Sequence, residues 1–142
     1  MNPSVWATVP LIATTLLIQS SSLAAPLSID CPPTIASKDV QIKGPAVWSV
    51  YVDEAGIALA GAGLMHGPPQ EMAILRPTGS GRSNEDVWTD IRPVEKGIWA
   101  ACFYGQDQEI VLSQRLPASI KECRILYAVP RPQKQSLSIR CR

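Results

Sequence analysis

The sequence predicts an all-β fold, a small antiparallel sandwich or barrel stapled by two disulfides. Three observations carry that expectation. Runs of alternating, β-branched or aromatic residues recur about every ten residues, joined by segments rich in turn formers. No segment sustains the apolar period of a helix. The four cysteines, Cys31, Cys102, Cys123 and Cys141, all follow an apolar N-terminal stretch, which is how a disulfide framework looks in an exported chain. Charge narrows the function classes further. With 13 Lys+Arg against 12 Asp+Glu the formal net charge is +1, so there is no basic surplus for phosphates and no nucleic-acid partner is expected.

Residues 1–24 contain no Lys, Arg, Asp, Glu or His. An apolar run over residues 5–18, interrupted at Thr8, Pro10, Thr14 and Thr15, leads into a polar patch and then Leu23-Ala24-Ala25. Small residues at Ser22 and Ala24 place signal-peptide cleavage after Ala24. The run falls short of the roughly 20 apolar residues a spanning helix needs, so no stable membrane insertion is expected after cleavage. Lipid attachment at Cys31 is disfavoured, because Ser28-Ile29-Asp30 lacks the small apolar residues that such processing prefers. Residues 25–142 are then a single β-rich domain, small enough for disulfides to matter.

Within that domain, residues 46–52 (AVWSVYV) carry apolar side chains on both faces and suit a central strand. Residues 57–65 are apolar but rich in Ala and Gly, and Gly61-Ala62-Gly63 predicts a bulge or close backbone packing. His66-Gly67-Pro68-Pro69 ends that run, and residues 72–76 form a short strand stopped by Pro77. Residues 77–86 (PTGSGRSNED) have almost nothing to bury and read as an exposed loop. Residues 86–91 alternate again.

The second half is more regular. Residues 97–104 place Ile98, Ala100, Cys102 and Tyr104 on one face and Trp99, Ala101 and Phe103 on the other. A turn over residues 105–108 and a return strand from Glu109 complete a hairpin. Residues 116–122 bend, with Ser119 and Glu122 spaced as a weak capping box for one helical turn. Residues 123–129 alternate, and Leu137, Ile139 and Cys141 share one face of a closing strand.

Four cysteines allow three connectivities. The favoured pairing is Cys102–Cys123 with Cys31–Cys141, the latter holding the two ends of the domain; the alternative is Cys31–Cys102 with Cys123–Cys141. Bridged cysteines leave no thiol nucleophile, and a lone histidine, His66, cannot complete a zinc site. His66 also lacks a local nucleophile motif, so no catalytic residue and no cofactor or metal are expected. The acid pairs Asp53-Glu54 and Glu85-Asp86 lie in turn-like polar context and suit solvated loops better than a glycosidase. Trp88 and Trp99 suit core packing better than interface anchoring. Loops on a stiff scaffold are natural binding surfaces, which makes His66, Pro68, Pro69, Glu71, Arg82 and Asp86 the candidate partner-binding residues.

One longer pattern runs through these segments. It comprises Cys31-Pro32-Pro33-Thr34-Ile35, Gly67-Pro68-Pro69 with Glu71, Leu75-Arg76-Pro77, Trp88, residues 99–104 (WAACFY), residues 111–117 (VLSQRLP), Cys123 and Tyr127. In that order it resembles a family of small exported proteobacterial proteins named after a Salmonella Typhi locus. The resemblance spans nearly all of residues 25–142 and is thinnest between Cys31 and Gly67. It implies an association with type VI secretion regions and, beside effectors that attack peptidoglycan, a periplasmic immunity protein that occludes the active site of such a toxin. That role needs export, a rigid scaffold and protruding loops, and no chemistry of its own. An inhibitor of host lysozyme and a structural subunit of an envelope complex are the alternatives.

Overall fold

In the computed structural model, which describes residues 25–47, 49–51, 53–80, 84–128 and 137–142, the alternating segments become ten strands. They are β1 (Leu27–Cys31), β2 (Thr34–Ile35), β3 (Ile57–His66), β4 (Ile74–Leu75), β5 (Gly79–Ser80), β6 (Glu85–Trp88), β7 (Ile98–Tyr104), β8 (Ile110–Arg115), β9 (Cys123–Tyr127) and β10 (Leu137–Cys141). The first sheet has the order β1-β10-β9-β6-β5, and the second runs β2-β3-β7-β8, with β4 pairing further along β3. Every pairing is antiparallel. The architecture is therefore a stapled all-β sandwich, and the two short 3-10 turns at Ser37–Asp39 and Pro69–Glu71 are the described helical elements.

Period-two alternation explains the core. From β7, Ile98, Ala100, Cys102 and Tyr104 join Leu59 and Leu64 of β3 on the inner face of the second sheet. Trp88, Cys123, Ile125, Leu137, Ile139 and Cys141 face them from the first sheet. The other face of β7 is also covered: Ala101 and Phe103 pack with Met65, flanked by Trp99 and Val111. The two faces assigned to residues 97–104 from sequence are those found. The small residues at 61–63 act as expected. Leu59 pairs with Tyr104 but Gly61 with Phe103, so β3 carries one extra residue at Ala60, and a Cβ on Gly63 would come within 3.2 Å of the Phe103 ring.

Two buried aromatic side chains tie the sheets with their polar tips. The Tyr104 hydroxyl donates to the Pro32 carbonyl at 2.9 Å, and Trp88 Nε1 donates to the Leu75 carbonyl at 3.2 Å. Burial pushes the Tyr104 phenol up from its ordinary 10.0.

The structure corrects the favoured disulfide pairing: the bridges are Cys31–Cys102 and Cys123–Cys141. Cys123 and Cys141 sit directly opposite each other on β9 and β10, while Cys31 at the end of β1 reaches across the core to β7. Cys31 and Cys141 cannot meet, because β1 and β10 pair with Cys31 opposite Leu137 and Cys141 opposite Leu27, which puts the two cysteines at opposite ends of the ladder.

Residues 46–52 are the second correction. No strand forms among the described residues between Asp39 and Ile57, and Trp48 and Val52 lie outside the described residues. Strand propensity reports how side chains fit a pleated surface and does not supply a partner; β3 pairs on that side with β2 at Ile57 and Ala58 and with β4 at Leu64 and Met65, and no described residue from 46 to 51 joins either sheet. The bend over residues 116–122 forms without a helical turn. Within the loop expected at residues 77–86, Gly79 and Ser80 pair with β6.

Candidate partner-binding face

His66 ends β3 opposite Ile98 and has the parity of Leu64, so it stands where the inner faces of the two sheets open to solvent. A groove of about 280 Å³ lies there. Its apolar floor is Leu75, Trp88, Ile91 and Ile98, and its rim includes Arg76 and Arg92. A second hollow of about 140 Å³ adjoins it, reaching Leu116 and Arg115, and the two share Ile91, Arg92, Val94 and Ile98. One segment, residues 91–94, thus forms a ridge between two depressions.

Backbone bonds fix the loops around this face. The His66 N–H donates to the Ala73 carbonyl at 2.8 Å, closing the 67–73 loop, and the Gly67 N–H donates to the Gly97 carbonyl at 2.9 Å. Pro68 precedes the 3-10 turn that starts at Pro69, and both prolines are half-buried. Lys96 Nζ lies 2.8 Å from a Glu71 carboxylate oxygen. That exposed ion pair contributes little to stability, but it latches the 67–73 loop to the neighbouring turn.

The structure brings some of the sequence-derived candidates together and separates others. His66 lines the groove, with Pro68, Pro69 and Glu71 in the loop that follows it. Asp86 is not part of this face: it points inward from β6, where the Tyr127 hydroxyl donates to its carboxylate. Arg82 lies outside the described residues. Sequence reasoning missed Arg76, Ile91, Arg92 and Val94, which become neighbours when β4 and the segment after β6 meet across the sandwich. Trp88 joins the core as expected, at 4% exposure, and also floors the groove.

Chemically, the face offers an apolar floor, rigid backbone and a charged rim. All four cysteines are bridged, and among the described residues no cluster of His, Cys, Asp and Glu is placed to hold a metal. Nor is any helix among them long and apolar enough to cross a membrane. A stapled β-sandwich with a grooved, loop-framed end holds its loops on a stiff scaffold, the arrangement on which binding surfaces are commonly built. Residues 54–142 match the Type VI secretion system Tli immunity protein family. The match covers more than half of the chain, and the chain belongs to that family. The type VI association that the resemblance implied is thereby found, without the locus name. No curated protein and no solved structure matches the chain.

Proposed function

We propose that this protein is a periplasmic immunity protein that neutralises a type VI toxin acting on peptidoglycan, by seating its grooved end over the toxin's active site. The observation that carries the reading is the family match over residues 54–142, a family whose role implies a toxin partner. Two features of the chain support the finer points. Two disulfides in so small a domain suit an oxidising compartment, in keeping with export and cleavage after Ala24. The groove's apolar floor can desolvate an inserted toxin side chain, and the ridge at residues 91–94 can enter a cleft.

The test uses the toxin encoded beside the gene. Purified toxin should digest isolated peptidoglycan sacculi, and one equivalent of the oxidised protein should stop it. In cells, the full chain should protect against periplasmic toxin, and a version lacking residues 1–24 should not. Unchanged sacculus digestion with the protein bound, or with no binding, would overturn the occlusion reading. A toxin that spares sacculi and degrades phospholipid vesicles would replace the target and leave immunity standing.

A further inference from the structure

The groove where the two sheets open carries charge that its apolar floor does not require. Among the residues lining it, Thr78 and Thr89 spend their hydroxyls locally. Their oxygens lie 3.2 Å apart, and Thr78 Oγ1 donates to the Val87 carbonyl at 3.1 Å. His66, Arg76, Asp90 and Arg92 are the polar side chains that remain to meet a partner. Neither the Arg76 nor the Arg92 guanidinium has a hydrogen-bond or ion-pair partner among the described residues. At the far end of the first sheet, by contrast, Arg124 and Arg142 are both bonded to Glu122.

The adjoining hollow adds Arg115 and no acid. Three arginines against Asp90 thus line the two hollows, on a chain whose formal net charge is +1. Of the nearby acids, Glu71 is held by Lys96 at 2.8 Å, and Glu95 lines neither hollow. Both rim arginines precede a proline, as Arg76-Pro77 and Arg92-Pro93. The residue before a proline is confined to extended backbone, so each guanidinium rides on a chain with little freedom left to lose on binding. The residues just before them are tied as well. The Leu75 carbonyl accepts from Trp88 Nε1 at 3.2 Å, and the Ile91 N–H donates to the Lys121 carbonyl at 3.0 Å. An apolar floor with planar cationic forks at its rim fits a carboxylate beside an apolar side chain, because arginine meets carboxylate through two parallel hydrogen bonds.

We propose that the groove takes an acidic segment of the toxin, with an apolar side chain set on Leu75, Trp88, Ile91 and Ile98 and neighbouring carboxylates paired with Arg76 and Arg92. The proposal rests on the immunity reading and gives the chemistry of the toxin surface that is covered. Complementary charge chiefly sets the rate of encounter and the choice of partner, while the desolvated floor sets how slowly the complex parts. Asp90 is the counterweight, since it stands among the groove's lining residues and repels an acidic partner.

The experiment measures binding kinetics with the toxin encoded beside the gene, using wild type, R76Q/R92Q, R140E and D90N. R76Q/R92Q neutralises two positive charges and R140E reverses one, so both change the net charge equally, but Arg140 lies on β10 and lines neither hollow. R76Q/R92Q should bind about 30-fold or more weakly than wild type, chiefly through slower association, and should lose much of the wild type's sensitivity to salt. Its melting temperature should match wild type, because both side chains are exposed. R140E should bind like wild type. D90N should bind more tightly, since Asn also tolerates the left-handed backbone at residue 90, where φ is 53°, and removes the repelling charge. If R76Q/R92Q loses no more affinity than R140E, or if D90N binds more weakly, acidic docking is refuted while the immunity reading stands. If wild type does not bind, the immunity reading fails and the proposal with it. If R76Q/R92Q keeps its affinity and instead turns a dimer into a monomer in sedimentation, the groove joins two copies of this chain and the proposal is overturned.

Discussion

Gly97 shows how far a single residue shapes the candidate face. It precedes β7 with φ +78°, a region that side chains with a Cβ rarely adopt, and a Cβ there would meet Arg115 Nε at 2.4 Å. Its carbonyl accepts from Gly67 and its N–H donates to the Val94 carbonyl at 2.9 Å, so it connects the 67–73 loop to the ridge. Gly97→Ala should lower stability by about 1–2 kcal/mol through the left-handed backbone and should displace the Arg115 guanidinium from the second hollow. Gly61→Ala is the matched control. Gly61 has an ordinary φ and nothing within 4 Å of a built Cβ, so its substitution should stay within about 0.5 kcal/mol. Urea unfolding of the two variants checks the contrast; equal losses would mean that the backbone at Gly97 is not what the site depends on.

At the scale of elements, the far end of the first sheet is closed by charge as well as by pairing. Glu122 accepts from Arg142 Nη2 at 2.8 Å and from Arg124 Nε at 2.7 Å, and Arg124 also reaches Glu85 at 3.1 Å. The hydrogen bond from Arg142, then that from Arg124, hold the Glu122 carboxyl below its ordinary 4.5. A carboxylate with a lowered folded pKa adds stability that is complete above 4.5 and fades as pH falls through the folded value. Wild type should therefore exceed Glu122→Gln in urea midpoint at neutral pH by a small, salt-sensitive margin. That margin should close in acid, and a gap independent of pH would exclude the carboxylate as its source. How legible the elements were follows the same local logic. β7 was readable because alternation decides its two faces, and the close packing at Gly63 because a small residue there leaves room for the Phe103 ring, while the bulge itself falls just before the small residues, at Ala60. β1, β2 and β5 were not, being short and flanked by prolines or turn formers. The apolar run at residues 46–52 misled because strand propensity reports side-chain fit and not whether a partner strand pairs with the segment. Of the candidate site, His66 and its prolines were visible as a strand end. Arg92 and Val94 were not, since no periodicity marks a ridge that exists once two sheets meet.

For the whole molecule, the two disulfides do different work despite similar chemistry. Cys123–Cys141 closes a separation of 18 residues within one sheet, between positions already opposed by strand pairing. Cys31–Cys102 closes a separation of 71 residues and joins the sheets through the core. Chain entropy alone assigns about 3 kcal/mol to the shorter loop and about 4.5 kcal/mol to the longer. The difference also bears on function, because the groove takes His66 and Ile98 from the second sheet and Trp88 from the first. Cys31→Ala/Cys102→Ala should thus be the more destabilised pair in guanidinium unfolding, and it should also lose affinity for the toxin as the sheets loosen at the groove. Cys123→Ala/Cys141→Ala should unfold earlier than wild type yet bind normally below its transition, since β9 and β10 remain paired. If the second variant lost binding while the first kept it, the face that meets the toxin would lie on the outer side of the first sheet rather than where the two sheets open.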